Sequence, residues 1–257
     1  MAIILTRQEQ LLLNNLQNLS VVDIATIKTL NNSLHITTNS NLLKTIHNLI
    51  KKSVFLNIKK GNYYVIKPSS SSDIFHIAQY VSEGYLGLDT ALFLYGVKSD
   101  YPSAIKIITP KKRSFRKMIS GTLFIGIPFG SLCYGGVELN DKIISSKGKT
   151  LFDCIYRINL IEDLGSLLRL INILSKTDLK EFIIYSRRLN RISFYEKAGY
   201  ILETAHAPNW ILDEIKKNIN NKKVIANLGK YKYGTGRKFI NSWNLYDNID
   251  LSRFSVR

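Results

Sequence analysis

The chain has 257 residues, enough for a sizeable core or for two domains of ordinary size. Hydrophobic residues make up 45% of it, which is typical of a folded protein and argues against intrinsic disorder. It carries 36 Lys and Arg against 19 Asp and Glu, a formal net charge of +17. An excess of this size attracts polyanions, so nucleic acid is the first partner to consider and an anionic membrane surface the second. A lysine-rich coding bias is the competing explanation, and charge alone does not decide between them.

The cysteines and the apolar segments indicate a cytoplasmic protein that does not enter a membrane. Cys133 and Cys154 have neither the spacing of a disulfide framework nor a histidine at metal-ligand spacing. The most apolar window, residues 122–137, is interrupted by glycine and proline and is shorter than the ~18 to 20 apolar residues that a spanning helix needs. Residues 1–6 lack the basic region of a signal peptide. We therefore predict a cytoplasmic location and no membrane partner.

Two helices are predicted near the start of the chain. Thr6 and Glu9 have the spacing of a capping box, and leucines follow at helical intervals. Ser20 and Asp23 repeat the cap pattern, which predicts a second helix that ends before Asn31-Asn32.

A third helix is predicted from about residue 38 to residue 52. Its apolar stripe consists of Leu42, Leu43, Ile46, Leu49 and Ile50. At about 100° per residue, the opposite face contains hydrogen-bonding and cationic groups and no acid. That face consists of Asn41, Lys44, Asn48 and Lys51, with Thr45 at its edge. Asn pairs with adenine and Lys reaches guanine or phosphate, so this face suits recognition of bases in the major groove.

Residues 53–66 have the pattern of a β-hairpin with a basic turn. Apolar residues alternate on both sides of Lys59 to Asn62, and Gly61 or Asn62 is suited to a positive φ. The two lysines of the turn either keep an ordinary hairpin in solution or hold its tip against something acidic. Three short helices followed by a hairpin is the order of a winged helix-turn-helix domain. Residues 1–68 also carry eight basic residues against two acidic ones, which favours DNA as the partner.

The predicted DNA-binding residues come from the start of the third helix, its polar face and the hairpin tip. The start of the helix is expected to enter the groove deepest. The predicted set is Asn39, Ser40, Asn41, Lys44, Thr45, Asn48, Lys51, Lys59, Lys60, Asn62 and Tyr63. Double-stranded DNA is the predicted partner, and the sequence does not decide between a monomer and a dimer.

The chain after residue 68 is predicted to be a mixed α/β domain. Residues 69–73 lie in a serine-rich stretch without apolar anchors and are the predicted linker. Residues 74–215 are the predicted effector- or partner-binding domain. Strands are predicted at 104–109, 122–129 and 132–139, and helices at 74–81, 151–158 and 164–174; residues 181–185 fit either, with a helix favoured. The predicted fold class is α/β (α+β), with a winged helix-turn-helix domain before a mixed α/β domain.

Residues 216–257 are predicted to be a basic extension that packs on this domain. Residues 216–238 include eight basic side chains and no acidic one, with Tyr231 and Tyr233 between lysines. Such a mixture either stacks on bases or covers a sheet. An RNA-binding or protein-interaction module that works through this region is the alternative to a DNA-binding regulator.

No pattern in the sequence predicts catalysis. Residues 147–150 (KGKT) imitate the end of a phosphate-binding loop, but Ile143 stands where that loop requires glycine. The histidines are scattered and have no metal-ligand spacing: His35, His47, His76 and His206. We therefore predict that the protein is not an enzyme and holds no cofactor and no metal.

Four segments occur in an order known from one protein family. KGNYYVI (60–66) is similar to a basic-Gly-x-Tyr wing, and GYLGLDTALFLYGV (84–97) to an Ala-Leu…Gly helix that follows the DNA-binding domain. SKGKTLFDCIYR (146–157) is similar to a Lys-Thr-Leu-x-Asp helix start, and FYEKAGYILE (194–203) to a Leu-Gly-Tyr-x-x-Glu segment. Over about residues 20–203 the chain thus resembles the AbiEi-type antitoxins, winged-helix regulators of type IV toxin-antitoxin systems.

The resemblance implies a function as well as a fold. It implies a repressor that binds the promoter of its own operon and has no catalytic residues. It also implies a C-terminal domain that counters a cognate nucleotidyltransferase toxin, which is the second predicted partner. A stand-alone regulator with the same architecture fits the sequence equally well.

Overall fold

The protein divides into two compact units with a mixed α/β fold. The computed structural model describes residues 4–16, 18–66, 74–219, 225–229 and 237–254. The first unit comprises Met1–Glu83 and Phe115–Gly126, and the second comprises Gly84–Ser114 and Ile127–Arg257. The predicted boundary was residue 68, whereas the first unit extends to Glu83 and includes a hairpin from later in the chain. The predicted linker, residues 69–73, lies outside the described residues.

The elements of the described residues are as follows, in chain order. The helices are α1 (Arg7–Leu16), α2 (Ile24–Leu34), α3 (Asn39–Lys51), α4 (Ile74–Val81), α5 (Asp89–Leu94), α6 (Lys147–Tyr156), α7 (Leu164–Asn172), α8 (Lys176–Leu189), α9 (Ile192–Thr204) and α10 (Asn209–Lys216). The strands are β1 (Val21–Asp23), β2 (Phe55–Lys59), β3 (Asn62–Val65), β4 (Tyr85–Leu86), β5 (Ile105–Thr109), β6 (Phe115–Ile119), β7 (Thr122–Pro128), β8 (Gly136–Leu139), β9 (Lys142–Ser145), β10 (Ala226–Asn227), β11 (Lys238–Ile240) and β12 (Leu245–Asp247). Each of these helices is too short or too polar to cross a membrane.

The predicted capping box at the start of α1 is confirmed. The Thr6 N–H donates to Glu9 Oε2 at 2.7 Å, and the Glu9 N–H donates to Thr6 Oγ1 at 3.3 Å. Lys52 Nζ donates to the same Glu9 oxygen at 2.6 Å, which ties α1 to the end of α3. Burial acts to raise the pKa of Glu9, but the hydrogen bonds from Lys52 and Thr6 outweigh it and leave the pKa below its usual value. Glu9 therefore stabilises the first unit as a carboxylate.

The predicted cap of α2 at Ser20 is wrong. Val21 and Val22 form strand β1 instead, because β-branched residues suit a strand and β3 offers an antiparallel partner. Asp23 is the N-cap, and its Oδ1 accepts the Thr26 N–H at 2.7 Å.

The end of α2 also differs from the prediction, since the helix passes Asn31-Asn32. The buried Asn31 amide donates to the Thr37 carbonyl and accepts from the Thr37 N–H, both at 3.0 Å. Asn31 therefore holds the turn between α2 and α3 rather than ending α2. His35 ends the helix in the left-handed conformation, with φ of 46°.

The predicted hairpin is present as β2 and β3, and β1 extends it to a sheet in the order β1-β3-β2. Gly61 takes the turn with φ of +75°, and its carbonyl accepts the Ile24 N–H at 2.8 Å. An irregularity between Asn57 and Lys59 interrupts the register of the two strands. The sheet and helices share one core, which includes Leu12, Leu16, Ile27, Leu42, Ile46, Leu49, Phe55 and Val65.

The second unit combines short strands with a cluster of helices. Strands β5, β4, β9 and β8 are neighbours in that order, with β4 antiparallel to β5 and parallel to β9. A small sheet has the order β10-β12-β11. Residues 181–185 lie within α8, so the favoured helix is confirmed. Residues 220–224, 230–236 and 255–257 of the predicted basic extension lie outside the described residues, and these include Tyr231 and Tyr233.

Candidate nucleic-acid interface

The exposed face of α3 is polar and basic. Asn39, Ser40, Asn41, Lys44 and Lys51 are exposed, and Asn48 is half-buried. These side chains face outward because Leu42, Ile46 and Leu49 anchor the opposite side of α3 in the core. The helix contains no acidic residue, so nothing on α3 itself repels a phosphate.

Two residues of α3 are placed differently from the prediction. Thr45 is buried, with 6% of its surface exposed, and its hydroxyl donates to the Asn41 carbonyl at 3.1 Å. Leu43, predicted to belong to the apolar stripe, is 62% exposed. The buried side of α3 therefore includes Thr45 and excludes Leu43. A threonine is tolerated in a core when its hydroxyl bonds to its own helix. Thr45 therefore does not belong to the exposed face, and Leu43 and His47 do.

The hairpin tip presents Lys59 and Lys60 to solvent. Both lysines are exposed, and the half-buried Asn62 donates its side-chain amide to the Lys60 carbonyl at 3.3 Å. Tyr63, however, is 9% exposed and its ring stacks on Phe55 at 6.0 Å between centroids. Tyr63 is therefore a core residue, and its inclusion in the DNA-binding set is corrected.

The hairpin formed by β6 and β7 adds a basic residue near Lys59 that the sequence did not predict, Lys117. Its turn consists of Ser120 and Gly121, both with positive φ, which is the two-residue turn that best fits strand twist. Strand β6 contacts β2 within the first unit. Arg116 is exposed and Lys117 is half-buried on the next position of the strand. The available signal was the basic run of residues 111–117, KKRSFRK.

The pKa of Lys117 reflects both its burial and the charge of a nearby lysine. Burial lowers the pKa of Lys117, and the positive charge of Lys59 lowers it further. In the described part of the chain, no carboxylate forms an ion pair with Lys44, Lys51, Lys59, Lys60 or Lys117. These cations are free to take an external anion.

The KGKT segment in the second unit is not arranged to hold a phosphate. It begins α6, where Ser146 caps the helix by accepting the Lys149 N–H at 3.2 Å. The Lys149 side chain is fully buried and pairs with Asp153. Its Nζ lies 4.6 Å from the centroid of the Phe152 ring, and four further aromatic rings lie within 5.7 Å. The lysine that a phosphate-binding loop would present to its ligand is enclosed in the core.

The comparisons with known proteins concern the fold. No family model and no curated protein matches the chain. One similar solved structure is the crystal structure of the RV2827C protein from Mycobacterium tuberculosis, with a TM-score of 0.71 at 13% sequence identity. The match covers 98% of this chain and 94% of that chain. The chain therefore shares its mixed α/β fold with that protein along nearly the full length of both.

Proposed function

We propose that the protein is a sequence-specific DNA-binding regulator of transcription and that its first unit is a winged helix-turn-helix domain. In this proposal α2 and α3 are the helix-turn-helix, α3 is the recognition helix, and the β2–β3 hairpin is the wing. The observation that carries the proposal is the acid-free exposed face of α3, followed directly in the chain by a hairpin with Lys59 and Lys60 exposed at its tip. A strictly structural surface would be expected to mix acids with these cations.

Affinity and sequence choice would come from different side chains. Lys44, Lys51 and the hairpin lysines would hold phosphates, which supplies most of the affinity and makes it fall with salt. Asn41 and Asn48 would reach base edges in the major groove, where an amide pairs with adenine. The exposed Leu43 adds an apolar group that suits a thymine methyl.

The resemblance to AbiEi-type antitoxins supports a more specific role as an autorepressor. Three of the similar segments fall on helices of the second unit, since they include α5, the whole of α6 and most of α9. In an antitoxin, this unit would serve the encounter with a cognate nucleotidyltransferase toxin. Selection of genomic fragments bound by the protein tests the role, because an autorepressor enriches a site upstream of its own gene.

The DNA-binding proposal is tested with a pair of double variants. Lys59→Ala/Lys60→Ala removes the hairpin charges, and Lys176→Ala/Lys180→Ala removes two exposed charges from α8 in the second unit. Binding to labelled duplexes is measured by fluorescence anisotropy across a salt series. We expect the hairpin variant to weaken binding to every sequence and to reduce the slope of log K against log salt by about 1 to 2, while the control variant binds as wild type.

Two outcomes would reject the proposal. One is duplex binding by the wild-type protein that does not depend on salt. The other is tighter binding to single-stranded RNA than to any duplex, unaffected by the hairpin variant, which would favour the alternative in which residues 216–238 carry the activity.

A further inference from the structure

The β6–β7 hairpin has two distinct faces. Phe115, Lys117 and Ile119 alternate along β6 with Arg116 and Met118. Ile119 is buried, and the cross-strand partner of Lys117 is the fully buried Phe124. Met118 is 62% exposed, and Arg116 is exposed beside it on the other face. Lys117 therefore extends from the packed face of the hairpin, whereas Arg116 extends from the outward face.

Lys117 lies close enough to Lys59, the lysine at the end of β2, for the charge of Lys59 to act on it. Strand β6 contacts β2, and the half-buried Lys117 loses part of its hydration there. Two ammonium groups that influence one another repel, and the repulsion is larger where water is partly excluded. No carboxylate in the described residues offsets it at either lysine. The fold thus holds a like-charged pair that an anion between the two groups would neutralise.

A purely structural explanation does not fit this pair. The buried Lys149 and the half-buried Lys52 each pair with a carboxylate, Asp153 and Glu9 respectively. The half-buried Lys197 forms no ion pair in the described residues, but burial alone lowers its pKa, whereas the charge of a second lysine also acts on Lys117. Lys117 would support the hairpin equally well as an apolar residue, since its face also contains Phe115 and Ile119. Like charges without an acid are the arrangement expected of a binding site for a phosphate.

We propose that Lys59 and Lys117 together bind one backbone phosphate of duplex DNA, so that the β6–β7 hairpin acts as a second wing beside the β2–β3 hairpin. This inference rests on the proposed function, because it names further contacts of the same interface. The ligand group is the phosphodiester, so the contact is independent of base sequence. The second wing would help to fix the register of α3 along the duplex, although β6 is remote from α3 in sequence.

The test compares the two faces of one strand. Lys117→Ala and Arg116→Ala each remove one positive charge from β6, at adjacent positions. We expect Lys117→Ala to weaken binding to all duplexes by ~3- to 10-fold near 0.15 M salt and to lower the salt slope by about 1, as for one phosphate contact. Arg116→Ala should change affinity less than about twofold, and Lys117→Arg should retain binding.

Two further measurements distinguish one phosphate held by both lysines from a non-specific effect of net positive charge. If Lys59 and Lys117 hold the same phosphate, the Lys59→Ala/Lys117→Ala variant loses less affinity than the product of the two single losses, because the second change removes a contact already weakened. In the absence of DNA, Lys117→Ala should leave Tm unchanged or raise it, since the variant removes a repulsion.

The outcomes separate this inference from the proposed function. If Lys117→Ala binds duplexes as wild type while Lys59→Ala/Lys60→Ala weakens binding, the second wing is rejected and the DNA-binding proposal stands. Equal losses for Arg116→Ala and Lys117→Ala also reject it, because they indicate net charge rather than a site. If the wild-type protein does not bind duplexes at all, the proposed function itself is rejected.

Discussion

In the first unit, Lys44, Lys59 and Lys60 are exposed without a carboxylate, whereas in the second unit Lys149 and Lys106 are buried against carboxylates. Lys106 pairs with the fully buried Asp89 and also donates to the Leu160 carbonyl at 2.8 Å. The same residue type therefore has two uses in one chain. A net charge of +17 does not by itself identify the binding surface, because exposed cations also occur in the second unit, among them Lys176 and Lys180 of α8.

The largest expected effect concerns the buried pair of the second unit. Asp153→Asn leaves the enclosed Lys149 without its counter-charge, and we expect the free energy of unfolding to fall by ~3 to 5 kcal/mol. Urea denaturation measures the loss. Glu214→Gln is the control, because its partner Arg187 is 60% exposed and such pairs contribute only ~0 to 1 kcal/mol. If Asp153→Asn is as stable as Glu214→Gln, the stability of the second unit does not depend on the buried ion pair of Lys149 and Asp153. The contrast between the two units would then be wrong.

A smaller effect, with a defined pH dependence, is expected at Glu162. Lys98 and Lys106 donate to its carboxylate at 2.6 and 3.1 Å, and the Ser103 hydroxyl donates at 2.6 Å. Burial acts to raise the pKa of Glu162, but these contacts outweigh it and lower the pKa to about 2. Because the folded pKa lies below the unfolded one, Glu162 stabilises the protein at neutral pH and loses this contribution as pH falls toward 2.

The variant that tests it is Glu162→Gln. At pH 7 we expect a loss of ~1 to 3 kcal/mol, toward the lower figure because a third of the side chain is exposed. The difference in unfolding free energy from wild type should shrink as the pH is lowered from about 4.5, the ordinary value, toward 2. A difference that stays constant over this window would show that the carboxylate charge is not what stabilises the network.

In the first unit, the expected effects are on binding rather than on stability. Asn41→Ala and Asn48→Ala should each weaken binding to the selected genomic site by ~1 to 3 kcal/mol and change binding to random duplexes little. Anisotropy titrations with both duplexes measure the difference. Equal weakening on the two duplexes would mean that these amides do not read bases.

The smallest expected effect is that of the exposed leucine on α3. Leu43→Ala should change unfolding free energy by less than ~0.5 kcal/mol, because the side chain is already in water. Its effect on affinity for the selected site should be about 1 kcal/mol, the order expected for one apolar contact to a thymine methyl. A large loss of stability would place Leu43 in the core, as the sequence predicted.

Local signals predicted the parts of the fold that depend on neighbouring residues. The capping box of Thr6 and Glu9, the extent of α3 and the turn at Gly61 each depend on side chains within a few positions of one another. Strands β1 and β4 were not predicted, because each is short and its pairing partner is distant in sequence. Strands β6 and β9 were also missed, although each pairs with a strand next to it in the chain.

The part of the candidate site that was predicted also depends on residues close together in sequence. Helical spacing identified the polar face of α3, but it placed Thr45 at the edge of that face and Leu43 in the apolar stripe. Thr45 is buried because its hydroxyl bonds to its own helix backbone. Tyr63 was counted as a contact although its ring packs on Phe55. Lys117 was missed because its association with Lys59 spans 58 positions of chain and has no local pattern.

The inserted hairpin also constrains how the protein is made. The first unit needs Phe115–Gly126, so it cannot be completed on the ribosome until residue 126 has emerged, after the chain has already begun the second unit. Contacts of this sequence separation slow folding, since the intervening loop must be closed first. A fragment that ends at residue 83 would contain α1 to α4 but would lack the β6–β7 pair. A chain that includes the complete first unit must therefore extend at least to residue 126.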